Sequence, residues 1–64
     1  MKANDMSESD LHKAAHNMEQ YGGGFAGHIA RAFFAADGNN RRLLIGAFGF
    51  LFERYAPGQG WGHE

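Results

Sequence analysis

Cysteine is absent from this chain, and proline and hydroxyl side chains are scarce. Without cysteine, no disulfide stabilises the fold and no thiolate can act as a nucleophile. Apart from the two tyrosines, the hydroxyl side chains are Ser7 and Ser9, near the start of the first predicted helix. The sequence shows no nucleophile–base set and no carboxylate pair suited to catalysis. We therefore expect a protein that is not an enzyme and that uses no cofactor.

The chain also lacks an excess of either charge. Six lysine and arginine residues stand against seven aspartate and glutamate residues, so the formal net charge is −1. A nucleic-acid-binding domain is typically basic and a DNA mimic is acidic, so this near-neutral charge favours neither class. The longest uncharged apolar run, residues 43–52, is about half of the ~20 residues that a spanning helix needs. The polar start, MKANDMSESD, is unlike a signal peptide, and we predict a cytoplasmic protein.

Large apolar residues are abundant for so short a chain. Sixty-four residues form one small domain, which buries only about 60% of its unfolded surface. Residues 43–55, LLIGAFGFLFERY, are nevertheless almost continuously apolar. On a helical wheel, one face of this segment has the spacing of a buried surface, with Leu44, Ala47, Phe48, Leu51, Phe52 and Tyr55. Leu43, Ile45 and Phe50 lie off that face, so we predict that the helix is covered from a second side, in a homo-oligomer.

The first helix is predicted from its end signals. Residues 1–6 show no periodicity and are expected to form a flexible arm. Ser7 is a suitable N-cap, and the helix should run to about Tyr21 with a narrow apolar stripe. The glycines at 22–24 should end it, because glycine accepts the left-handed backbone angles of a helix C-cap.

A second helix is predicted over residues 25–36. One face of this helix has the large apolar side chains together with two alanines: Phe25, Ile29, Ala32, Phe33 and Ala36. Small residues occupy another side, where a second backbone could approach closely: Ala26, Gly27 and Ala30.

The third helix follows a strong turn signal over residues 37–40, and Asn39 or Asn40 should cap it. Gly46 and Gly49 lie inside this helix, where each glycine destabilises it by about 1 kcal/mol relative to alanine. They indicate either a kink near Gly49 or points where another helix makes close contact, and the sequence does not decide between the two. Proline ends the helix, and residues 57–64 should form a flexible tail.

Together these segments predict an all-α fold. We expect a small helical bundle over residues 7–56, in which an apolar hairpin of the second and third helices packs beside a more polar first helix.

Three groups of polar residues are weaker candidates for a site. His12 and His16 have the i, i+4 spacing of metal ligands, but four ligands are needed for structural zinc and an exposed polar face explains the pair equally well. We therefore predict no metal site. His28 is expected to be a partly buried packing residue. Arg41 and Arg42 open the third helix, where positive charge opposes the helix dipole, so we expect them to meet an acidic group on a partner or on the first helix.

Several short segments resemble a family of small uncharacterised proteins of phages and prophages: EQYGGGF (19–25), AAD (35–37), Asn40, Arg42-Leu43, Ala47-Phe48 and FERY (52–55). In that family a YGG-aromatic start leads through an Ala-Asp turn to an Ala-Phe-Pro break and an aromatic-rich final helix. This chain departs from the pattern at Gly46 and at Gly49, where the family has proline. The resemblance covers roughly residues 19–56, and it implies a phage accessory protein that works in the host cell.

From this apolar surplus we predict a non-catalytic binding protein, an inhibitor or adaptor that forms a homo-oligomer and binds a host or defence-system protein. The alternatives are a small nucleic-acid-binding helical module and a helical hairpin at a membrane interface. The predicted partner-binding residues are Phe34, Arg41, Arg42, Phe48, Phe50, Phe52 and Trp61.

Overall fold

The structure is a computed structural model, and it describes residues 2–58 of the chain. A short 3₁₀ turn, Ala3–Asp5, precedes three helices: α1 (Glu8–Tyr21), α2 (Gly23–Ala35) and α3 (Gly38–Arg54). No strand occurs in this part of the chain, and the predicted all-α fold is confirmed. Within residues 2–58, no helix is both long enough and apolar enough to cross a lipid bilayer.

Both ends of α1 are formed by the residues that the sequence indicates. The Ser7 Oγ accepts a hydrogen bond from the Asp10 N–H at 3.1 Å, which satisfies one of the free amides of the first turn. At the other end, the Gly22 N–H donates to the Met18 carbonyl at 2.9 Å. Gly23 then adopts the left-handed conformation, with φ at 77°, so the predicted glycine C-cap is confirmed.

Helices α1 and α2 form the most closely packed pair, because one residue, Gly22, joins them. A Cβ at this position would lie 2.6 Å from the Ala26 Cβ and 2.6 Å from the Met18 carbonyl oxygen, so only glycine fits here. The helices run antiparallel, with His12 of α1 opposite Phe33 of α2 at a ring distance of 5.3 Å. The residues that close this contact are small or flexible: Ala14, Ala15, Met18, Ala26, Gly27 and Ala30.

The buried face of α2 therefore differs from the predicted one. The small-residue side faces α1, as expected for a close approach of two backbones, and Phe33 is also buried. Phe25 and Ala32 were predicted on the buried face, but both are exposed. The short connection draws α1 onto the small side of α2, and the larger side chains are left facing α3 and the solvent.

Helix α3 begins at a different cap from the predicted Asn39 or Asn40. The Asp37 carboxylate accepts a hydrogen bond from the Asn40 N–H at 2.9 Å, and Asp37 is therefore the N-cap. Of the two alternatives for the glycines inside this helix, the kink is present: it lies one residue before Gly49, at Phe48, whose φ of −125° and ψ of 22° are not helical. Beyond this kink, Leu51 and Phe52 turn into the core.

Residues 2–6 also depart from the expected flexible arm, because they pack against α3. Ala3 and Met6 are buried, with 4% and 7% of their surfaces exposed. The Ala3 N–H donates to the Glu53 Oε2 at 2.9 Å. The core also extends past α3 to Ala56, next to the Tyr55 carbonyl that accepts a hydrogen bond from the Asn17 side chain at 3.0 Å.

Phe33 lies where all three helices meet. Its ring is 5.1 Å from the ring of Phe52 and 5.3 Å from that of His12. The Arg41 guanidinium stacks on the same ring at 4.7 Å, donates through Nε to the Phe33 carbonyl at 3.2 Å, and pairs with Glu8 at 2.8 Å. One arginine therefore links α1, α2 and α3.

The substitution Arg41→Lys should lower the free energy of unfolding by about 1 kcal/mol, because an ammonium group cannot keep the stacking and the fork of hydrogen bonds together. Urea unfolding followed by circular dichroism measures this change. Arg42→Lys is the matched control, since the neighbouring Arg42 is exposed, and it should leave stability unchanged. Equal effects of the two substitutions would contradict the linking role of Arg41.

Candidate binding surface

An open, apolar groove lies between α2 and α3, on the side of the bundle away from the 3₁₀ turn. Its volume is about 580 Å³. We call it the α2–α3 groove, and its described lining residues are Ala32, Ala35, Ala36, Asn40, Leu43, Leu44 and Phe48. None of these residues is charged, and all except Asn40 are apolar. The groove exists because α3 kinks at Phe48 and α2 turns its small side to α1.

Large exposed side chains continue the apolar surface beyond the groove. Leu43 has 66% of its surface exposed at one edge. Phe25, 59% exposed, meets the groove through Phe48, with the two ring centroids 5.7 Å apart in an edge-to-face arrangement. Contiguous apolar surfaces of this kind on small proteins mark interaction sites. The groove and Phe25 together form the strongest candidate for such a site in residues 2–58.

The predicted contact residues do not share one surface. Phe48 is half-buried and lines the α2–α3 groove. Phe34, 39% exposed, lies beside His12 and His16 in a cleft between α1 and α2. Phe50, 58% exposed, lies on the opposite side of α3, close to residues 2–4. These aromatic side chains therefore belong to three separate faces.

Two further predicted contacts have different outcomes. Phe52 is completely buried against Phe33, so it cannot touch a partner in this conformation and its prediction as a contact residue is wrong. The predicted buried face of the third helix already included Phe52, and in the structure Phe33 of α2 covers it. Trp61 lies outside the described residues.

The arginines are engaged within the molecule to different degrees. Arg41 pairs with Glu8 at 2.8 Å, which confirms the expectation that it meets an acidic group on the first helix. Arg31 pairs with Glu19 at 3.6 Å. Arg42 is exposed and lies next to Arg41 in a shallow cleft near the start of α3. Arg31 and Arg41 are thus directed to carboxylates of α1.

The histidines give no evidence of a metal centre. His12 Nε2 lies 3.5 Å from the Glu8 carboxylate, while its ring contacts Phe33 and Phe34 edge-on. No group of three or more histidine, aspartate or glutamate side chains with metal-binding geometry occurs over residues 2–58. His28 was predicted to be partly buried, and it is exposed on α2.

Sequence reasoning predicted Phe48 as a contact residue, but it missed the other residues of the α2–α3 groove as contacts. Ala32, Ala35 and Ala36 give no signal of their own, because alanine suits any helix surface. Leu43 was placed off the buried face of the third helix, whereas Phe25 was placed on the buried face of the second helix. A usable signal was the small-residue side of α2: if this side packs on α1, Phe25 must point towards α3.

Comparison of the chain with known protein families, with curated proteins and with solved structures gives no match. The assignment of a role therefore depends on the surface described above.

Proposed function

We propose that this chain is a small non-catalytic binding protein that self-associates and holds a protein partner against the α2–α3 groove. The observation that supports this role is the continuous apolar surface formed by the groove, Leu43 and Phe25. Covering exposed leucine and phenylalanine side chains with another surface is favourable, by roughly 25 cal/mol for each Å² of apolar area that is buried.

The shape of the groove favours an apolar helix or loop as its occupant. The alanines of α2 leave room into which side chains can enter, and Leu43, Phe48 and Phe25 form a raised edge. Aromatic anchors beside small-residue pockets are the usual centre of a protein interface. An uncharged lining also allows two copies of the same surface to meet without repulsion, as a symmetric dimer requires.

The phage-family resemblance of residues 19–56 suggests the biological setting. We propose a phage accessory protein that acts as an inhibitor or adaptor on a host or defence-system protein in the host cytoplasm. Binding at an apolar groove would act by occlusion, because a covered surface on the target cannot meet its own partners.

The alternative partners, nucleic acid and membrane, have less support from the described surface. Phosphate binding needs several cations on one surface, and the described lining of the α2–α3 groove carries no charge. Arg31 and Arg41, on other parts of the molecule, pair with Glu19 and Glu8. An interfacial membrane helix usually carries lysine or arginine beside its apolar face, and the groove lining has neither.

Leu43→Lys should weaken self-association and partner binding by at least about tenfold, because it places a charge within the apolar surface that a partner would cover. The fold should persist, since Leu43 is 66% exposed. Sedimentation velocity over a micromolar concentration series measures self-association, and affinity capture from a host lysate measures partner binding.

Phe50→Lys is the matched control. Phe50 is 58% exposed but lies on another face of α3, so this variant should behave as the wild type in both measurements. A wild-type chain that sediments as a compact monomer throughout the series would contradict the self-association. A captured protein that is lost equally from both variants would contradict the role of the α2–α3 groove.

A further inference from the structure

The kink in α3 forms a notch that holds residues 2–6, which we call the strap. Gly49 lies at the bottom of the notch, and a Cβ built on it would be 3.1 Å from the Ala3 Cβ. One turn later, the Glu53 carboxylate accepts the Ala3 N–H at 2.9 Å. The strap is closed on itself by two further bonds, from the Asp5 N–H to the Lys2 carbonyl and from the Met6 N–H to the Ala3 carbonyl.

The strap spans the two halves of α3. Before the kink, Ile45 lies beside Ala3 and Met6 in the cleft between the strap and α3. After the kink, Gly49 and Glu53 hold Ala3. A segment fastened on both sides of a bend favours one angle of that bend.

The contacts that hold the strap are few. Ala3 and Met6 are its buried side chains, and Lys2, Asn4 and Asp5 are exposed. Backbone ordering of these five residues opposes docking, whereas the burial of two side chains and one hydrogen bond to a carboxylate favour it. Release of the strap therefore breaks few contacts.

The strap and the α2–α3 groove meet at adjacent residues of the kink. Phe48 has the non-helical backbone angles, lines the groove and touches the Phe25 ring. The next residue, Gly49, lies under Ala3 on the opposite side of the helix. Any change in the bend angle therefore moves the Phe48 ring relative to α2.

We propose that the strap regulates the α2–α3 groove: docked at Gly49 and Glu53, it fixes the kink of α3 and holds Phe48 in place against Phe25. Release of the strap lets α3 change its bend and alters the surface that a partner meets. This regulation rests on the proposed function of the groove, but the contact between strap and kink can be tested without any partner.

The first test compares Gly49→Val with Gly46→Val in the full chain. Valine at position 49 fills the notch and should expel Ala3, whereas a Cβ at position 46 meets no atom within 4 Å. Hydrogen exchange of the Ala3, Asp5 and Met6 amides should be at least about tenfold faster in Gly49→Val and unchanged in Gly46→Val. Nuclear Overhauser contacts between the Phe25 and Phe48 rings should be lost or weakened in Gly49→Val alone.

Glu53→Ala provides a second route that leaves the helix backbone at the kink unchanged. It removes the acceptor of the Ala3 N–H, and it should reproduce both effects in weaker form. If Gly49→Val does not fold, Glu53→Ala alone decides the outcome.

Two results would overturn the proposal. Faster exchange of the strap amides with unchanged Phe25–Phe48 contacts would show that strap and groove are independent. Unchanged exchange in every folded variant would show that neither the notch nor Glu53 holds the strap. If both signals change together while Leu43→Lys leaves association unaltered, the regulation is retained and the proposed function of the groove fails.

Discussion

Phe33→Ala should remove a large part of the free energy of unfolding. The side chain is 1% exposed and packs against Phe52, His12 and the Arg41 guanidinium. Removing a buried phenylalanine ring lowers stability by about 3–5 kcal/mol. A domain of this length has a total free energy of unfolding of roughly 3–10 kcal/mol, so the loss is comparable with the whole.

Far-UV circular dichroism during urea unfolding measures the effect of Phe33→Ala. The matched control is Phe34→Ala, at the neighbouring position of the same helix, where 39% of the side chain is exposed. This control should lose no more than about half as much stability, because part of its ring is already hydrated. Similar losses at both positions would contradict the central place of Phe33 in the core.

Gly22→Ala should destabilise the protein by about 3 kcal/mol, at the upper end of the range for overpacking. The added methyl group would lie 2.6 Å from the Ala26 Cβ and 2.6 Å from the Met18 carbonyl oxygen. The carbonyl belongs to the last turn of α1 and cannot rotate away as a side chain would. Relief of the contact therefore requires α1 and α2 to separate.

Gly24→Ala is the control for Gly22→Ala. Gly24 is exposed in the first turn of α2, and a Cβ there meets no atom within 4 Å. It should keep or raise stability, by up to ~1 kcal/mol, because alanine favours the helix. Differential scanning calorimetry of the two variants gives the comparison, and a Gly22→Ala protein as stable as Gly24→Ala would refute the close packing of α1 on α2.

Local signals in the sequence predicted the ends of the helices well. The Ser7 cap and the left-handed glycine after α1 act through one or two neighbouring residues, so sequence alone contains the information. For α3, the glycines at 46 and 49 left a kink and a close helix contact as alternatives, and the structure has the kink one residue before Gly49. The cap of α3 was misassigned because Asp37, Asn39 and Asn40 are all suitable caps, and the backbone path selects Asp37.

Packing between distant segments was less predictable. The face of α2 that is buried depends on where α1 returns after Gly22, and a helical wheel of α2 does not contain that information. The docking of Ala3 on Gly49 joins residues far apart in the chain, and neither residue has an unusual local pattern. The α2–α3 groove was not predicted for the same reason. Its shape depends on which face of α2 is buried and on how Ala3 docks on Gly49.

The one-residue connection between α1 and α2 has a consequence for how the chain acquires its structure. Contacts between sequence neighbours require little loss of loop entropy and form early, so these two helices should pair before α3 has joined them. The bond from Ala3 to Glu53 closes a separation of 50 residues, which places it among the slowest contacts to form. A chain emerging from the ribosome would therefore pair α1 with α2 early and join Ala3 to Glu53 last.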